Sequence, residues 1–257
     1  MNINKQILVG LLAATGLVAT AGAATISVVD LTTLPSSQVL DNQGIVAAID
    51  PQSTGTGVFD PFLREQGNAA QSPQEAGINT SIANPPYDTK ADPHTHDLLV
   101  SSLATVKVGG TDYYKFVLDA NQLQNGAISL IQFKVYVTTG PAFTSASDLI
   151  NLVDNVTPNY NMNGGATQYR VDISSQNGSG SGDMSFLVPK SDIGTTGNLY
   201  LYSQFGTDAN GNGFGINDGF EEWSALTGTS SVPDGGTTVL LLGAALSGLG
   251  LIRRKLS

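Results

Sequence analysis

The chain has 257 residues, no cysteine, a hydrophobic content of 40% and a formal net charge of −10. The missing cysteine excludes disulfides, thiol catalysis, thiolate zinc sites and iron–sulfur clusters. The acidic balance without a basic stripe repels nucleic acid, and the chain holds neither a P-loop nor a dinucleotide-binding glycine motif, so nucleic-acid binding and nucleotide-cofactor chemistry fall away.

Lys5 supplies a positively charged start, Ile7 to Val18 form an apolar core relieved only by small residues, and Ala21-Gly22-Ala23 places small residues where a signal peptidase tests them. This predicts a secretory signal over residues 1–23, cut after Ala23, with Ala21 or Ala24 as neighbouring alternatives. The body that follows, 24–231, carries seven basic against twenty acidic residues, a net of −13. Its length suits a single all-β domain with one sizeable core.

Short runs of period-two alternation separated by turn residues predict strands along the body. An early pair is expected near Thr25–Leu31 and Ile45–Ile49. Residues 52–93, with Pro61, Pro73, Pro85, Pro86 and Pro93, read as a long loop, of the kind that is functional or pinned by a ligand. Leu98, Val100, Ala104, Val106 and Val108 share one face of the next run. Gly109-Gly110-Thr111-Asp112 then reads as a four-residue hairpin loop leading to Tyr114, Phe116 and Leu118. A further strand sets Ile131, Phe133, Val135 and Val137 against Gln132, Lys134 and Tyr136. Ser145-x-x-Asp148 resembles a capping box, with aspartate in the glutamate place, and predicts one short helix through Leu149–Val153. Strands follow at Tyr169–Ser174, Met184–Val188 and Leu199–Phe205, with a flexible hairpin tip at Gln176–Asp183. Strands spaced by turns, without alternating helices, predict an antiparallel β-sandwich of jelly-roll type.

Three constellations carry candidate chemistry. In Asp208-Ala209-Asn210-Gly211-Asn212-Gly213, side-chain oxygens at positions 1, 3 and 5 with glycine at 6 match the first half of an EF-hand calcium loop. Position 12 is Gly219, so Asp218 or Glu221 would have to replace the usual bidentate glutamate; the competing reading is a glycine- and asparagine-rich turn. His94 and His96 would point to one side of a strand, at transition-metal spacing, or else are solvated loop histidines. Asp218, Glu221 and Glu222 beside Trp223 sketch a sugar site with acids around an aromatic platform, as a glycoside hydrolase needs; a core tryptophan is the alternative, and adjacent glutamates on a strand face opposite ways. Tyr87, Tyr160 and Tyr169 are the candidate exposed aromatics of a carbohydrate-binding module.

The chain closes on Val232-Pro233-Asp234-Gly235-Gly236, an apolar run from Val239 to Ile252, and Arg253-Arg254-Lys255. A run that partitions into lipid, with cations held on the cytoplasmic side, anchors a chain transiently in the inner membrane during export. The arrangement resembles the tripartite C-terminal signal of bacterial PEP-CTERM proteins, in the variant with Val-Pro-Asp. The resemblance implies recognition and cutting by a sorting protease of the exosortase type. Phe59-Asp60-Pro61-Phe62-Leu63-Arg64, His96-Asp97-Leu98, Tyr113 to Asp119 and Asp218 to Trp223 are similar to segments of secreted PEP-CTERM proteins of unassigned activity, which brings no catalytic residues. The expectation is an exported, non-enzymatic, structural or adhesive protein of an extracellular polysaccharide layer; a carbohydrate-binding module and then a carboxylate-dependent glycosidase are the rivals.

Overall fold

The computed structural model describes residues 25–49, 60–122, 126–174, 182–217 and 219–228. The expected signal peptide, the sorting signal Val232–Lys255, Asp218 and residues 176–181 of the hairpin tip lie outside the described residues.

The strands in chain order are β1 (Ile26–Leu31), β2 (Ser37–Val39), β3 (Ile45–Ala48), β4 (Pro61–Glu65), β5 (Gln74–Ile78), β6 (Leu98–Leu99), β7 (Thr105–Val108), β8 (Thr111–Asn121) and β9 (Ala127–Thr138). After helix α1 (Ala146–Asn155) come β10 (Tyr160–Asn161), β11 (Gln168–Ser174), β12 (Met184–Pro189), the short α2 (Lys190–Ile193), β13 (Asn198–Gly206) and β14 (Phe220–Ala225). They form two sheets. The first runs β1-β11-β9-β13-β5, with β10 on β9 and β6 on β13; the second runs β2-β3-β12-β8-β14-β4, with β7 on β8. The expected sandwich is present. One pairing departs from the antiparallel expectation: β1 lies parallel to β11, Ile26 to Leu31 against Gln168 to Ile173. More than a hundred residues separate the two strands, so no hairpin dictates their direction.

The core lies between the sheets because each long strand turns its alternate apolar side chains inward. Tyr114, Phe116, Leu118 and Ala120 of β8 face Phe133 and Val135 of β9 across it. Phe133 stacks on Phe186 of the other sheet at 4.0 Å and 6°, and lies 5.1 Å from Trp223. Each such buried aromatic stabilises the fold by about 1.5–3 kcal/mol through apolar area removed from water.

Several local expectations are corrected. The β7–β8 turn is the two-residue Gly109-Gly110, with Val108 opposite Thr111 and φ of 57° and 91°, a pair of left-handed angles that glycine adopts at little cost. The run from Leu98 to Val108 is broken by a 3-10 turn at Val100–Ser102. Five strands fall where the sequence predicts none: the short β2 and β10, and β4, β5 and β14, the first two of these three inside the proline-rich segment. The alternation of β4, β5 and β14 is hidden because glutamates are buried among the apolar residues: Glu65, Glu75, Glu221 and Glu222 are all within 5% of full burial.

The helix forms as read. Ser145 sits at its N-cap with Oγ accepting from the Asp148 amide at 3.3 Å. The Asp148 carboxylate accepts from the Ser145 hydroxyl at 2.7 Å. Leu149 and Leu152 then pack onto the outer face of the first sheet, against Tyr136, Tyr200, Tyr202, Ala76 and Ile78. Among the described residues no helix is long and apolar enough to cross a membrane.

Candidate functional site

That outer face changes character along its strands. Under α1 it is aromatic and aliphatic. Further along the same strands it turns polar, presenting Gln132 and Lys134 from β9, Gln204 from β13, Gln74 from β5, and Gln168 and Arg170 from β11. With Asn161, Asn163 and the turn Asp208–Asn210, these line an open groove of about 820 Å³.

A bulge makes room for it. Gln204 pairs with Gln132, but Phe205 pairs with Leu130, so Ile131 is the extra residue in β9. Simple alternation would point Ile131 inward with Phe133; the bulge instead lets Ile131 and Gln132 both line the groove, beside Ile26.

Three glutamines form a ladder across the floor. Gln132 Nε2 donates to Gln204 Oε1 at 2.5 Å, Gln204 Nε2 donates to Gln74 Oε1 at 3.2 Å, and Gln74 Nε2 donates to the Thr207 carbonyl. Each amide carries two N–H donors and two acceptor lone pairs. The ladder uses one donor of each and fixes its orientation, leaving a donor and an acceptor for a ligand.

The charges at the groove are matched locally. Arg170 donates through Nε to Asp172 at 2.9 Å and through Nη1 to Asp208 at 2.8 Å. Asp208 Oδ1 accepts from the amides of Asn210 (2.9 Å) and Asn212 (3.0 Å). Burial pushes the Asp208 carboxyl upward, but the Asn212 amide, the Arg170 guanidinium and the Asn210 amide together hold it below its ordinary value. Gly213, at φ 101°, lets the turn lie on Arg170; a Cβ there would come within 2.9 Å of Arg170 Cδ and 2.8 Å of Ser129 Oγ. Lys134 Nζ stands 5.4 Å from the centroid of Tyr202. Burial lowers its pKa against the pull of Asp154.

Among the described calcium candidates, Glu221 is not brought to the turn that holds Asp208, Asn210 and Asn212; Asp218 lies outside the described residues. Asp208, Asn210 and Asn212 form the closed turn at the groove, where Arg170 supplies the neutralising charge. Glu221 lies inside the sandwich, with Oε1 accepting from Gln122 Nε2 and a hydrogen bond to Glu75. Among the described residues, no three histidine, aspartate or glutamate side chains are grouped to hold a metal ion.

The other sequence candidates also change place. His94 and His96 sit in a loop rather than on a strand, so strand geometry does not align them. The His94 amide donates to Asp92 Oδ1 at 2.8 Å, and the His96 amide to the Phe62 carbonyl at 3.0 Å. Trp223 is fully buried and donates through Nε1 to Ser203 Oγ at 3.0 Å, so it is a core residue rather than a sugar platform. Glu221 faces the core, while Glu222 is held by Arg64, which also reaches Asp92 at 2.9 Å. Tyr160 and Tyr169 are buried, leaving Tyr87 as the exposed member of the three; its ring stands edge-on to Tyr202 at 5.4 Å. The glutamine ladder was not anticipated. Its only signal in the sequence is the polarity of Gln132 and Lys134 on one side of their strand.

Residues 231–256 match the family model described as the VPDSG-CTERM motif. No curated protein and no solved structure matches the chain. The match falls on the Val-Pro-Asp segment, the apolar run and the terminal cations, so the chain carries a PEP-CTERM-like C-terminal sorting signal, consistent with processing by an exosortase-type enzyme and with export to the cell surface.

Proposed function

We propose that this protein is a structural, adhesive component of an extracellular polysaccharide layer, with its β-sandwich acting as a carbohydrate-binding module. The sorting signal supports delivery to the surface. The observation that carries the binding reading is the open groove, in which amides from five strands and a turn sit beside the apolar side chains of Ile26 and Ile131. Sugars present hydroxyls that both donate and accept, on rings whose C–H faces are apolar, and such a lining answers both features. Binding rather than catalysis is proposed because, among the described members of the set Asp218, Glu221, Glu222 and Trp223, Glu221 and Trp223 are buried in the interior and Glu222 is paired with Arg64.

Retention of the purified full chain, in mild detergent, on a panel of insoluble and gel-embedded polysaccharides tests this. At least one polymer is expected to retain it. Lys134→Ala combined with Asn210→Ala, both at the groove, is expected to weaken retention. Passage through every polymer unretarded would overturn the reading.

A further inference from the structure

Building on the groove as a glycan site, we propose that the Gln132–Gln204–Gln74 ladder is its recognition element and that its ligand is an uncharged polysaccharide lying across strands β9, β13 and β5.

Direction comes from the ladder. Its three amides stand on adjacent strands, and neighbouring strands are about 4.8 Å apart. They make a row perpendicular to the strands, each rung held by the next. A polymer laid along that row meets the same donor-and-acceptor pair repeatedly. Because the rungs are already fixed by one another and by the Thr207 carbonyl, binding orders little that is not ordered beforehand. Ile131, brought outward by the bulge, gives the sugar's C–H face an apolar surface beside the row.

The absence of charge on the ligand follows from how the groove's own charges are committed. Arg170 is shared between Asp172 and Asp208. The Lys134 ammonium stands over the Tyr202 ring with Asp154 in electrostatic reach. Among the described residues lining the groove each cation thus has a partner, Arg170 in its two aspartates and Lys134 in the Tyr202 ring, and the chain's net charge of −10 repels a polyanion as it approaches. An amide row needs no charge in its ligand.

Titration calorimetry of the full chain in mild detergent, with fragments of neutral polysaccharides in one arm and of polyuronates in the other, at about 50 and about 500 mM NaCl, is the test. A neutral polymer is expected to bind with affinity unchanged within about twofold between the two salt concentrations, since exposed charge attraction is what salt screens. Gln204→Ala removes the middle rung and is expected to weaken that binding at least tenfold with the melting temperature of the fold retained. Should that variant unfold, Gln74→Ala removes the end rung and serves in its place. Preference for polyuronate, weakened by salt, would overturn the uncharged ligand while leaving the groove reading intact. Neutral binding indifferent to both glutamine variants would overturn the ladder. Binding of neither polymer class, together with no retention on the wider panel, would remove the groove reading itself and this inference with it.

Discussion

Glu75 of β5 and Glu221 of β14 bring their carboxyl groups together across the interior between the two sheets, close enough to share a hydrogen bond. Two carboxyl groups share such a bond only when one carries a proton. Burial pushes both above the ordinary carboxylate range, and it does the same to Glu65 nearby. Apart from that shared bond, Glu65 Oε2, Glu75 Oε1, Glu221 Oε2 and Gln122 Oε1 are buried without a hydrogen-bond partner. The surroundings explain the arrangement: Gln122 donates to Glu221, the Gly67 amide to Glu75 and Ser203 to Glu65, while Asp88 adds negative charge near Glu65 and Glu75, and Lys90 opposes it at Glu75.

This cluster predicts an unusual pH dependence. The folded-state pKa values lie above those of the unfolded chain, so the folded state binds more protons, and stability is fully present below the unfolded glutamate value of about 4.3. It is lost as pH rises from there through the raised folded values, by about 1.4 kcal/mol per pH unit for each extra proton held. Urea unfolding at a series of pH values is expected to show stability falling from mildly acidic to neutral pH. Glu75→Gln and Glu221→Gln are each expected to flatten that fall. A profile rising over the same window would contradict the shared proton.

Ser203 holds two buried groups at once: its hydroxyl accepts from Trp223 Nε1 and donates to Glu65. Ser203→Ala leaves both without that partner in a site closed to water. A buried polar group left unpaired costs about 1–3 kcal/mol. The expected fall in melting temperature is roughly 2–4 °C for each kcal/mol lost. A change below 1 °C would show that neither group depends on the hydroxyl.

The turn at Asp208 is expected to stand without calcium. Its carboxylate already meets two amides and a guanidinium. Melting curves with millimolar calcium and with chelator are expected to coincide, while Asp208→Ala lowers the melting temperature equally in both. A calcium-induced rise of several degrees, lost in Asp208→Ala, would restore the turn as a cation site, since a ligand at a hundredfold excess over Kd adds about 2.7 kcal/mol.

How much was legible in the sequence depended on where polar residues were placed. The strands around Phe116, Phe133, Phe186 and Leu201 announced themselves, because alternate residues on one side of each are apolar and face the core. The helix announced itself through Ser145 and Asp148. By contrast, β4, β5 and β14 bury Glu65, Glu75 and Glu221, which a period-two reading scores as outward-facing, and their pairing with one another is visible only in three dimensions. The groove was hidden for a similar reason. Gln74, Gln132 and Gln204 are ordinary surface residues in one dimension, and only the order β9-β13-β5 sets them side by side. The Asp208 turn showed its oxygens but not Arg170, a charge partner 38 residues away.

The most direct test of the account is mass spectrometry of the protein recovered from the extracellular polysaccharide fraction of producing cells. The account predicts that the chain is found there and that its C-terminal peptide ends before Val239, the apolar run and Arg253-Arg254-Lys255 having been removed. Recovery of the chain only from inside the cells, with the Arg253-Arg254-Lys255 end intact, would contradict it.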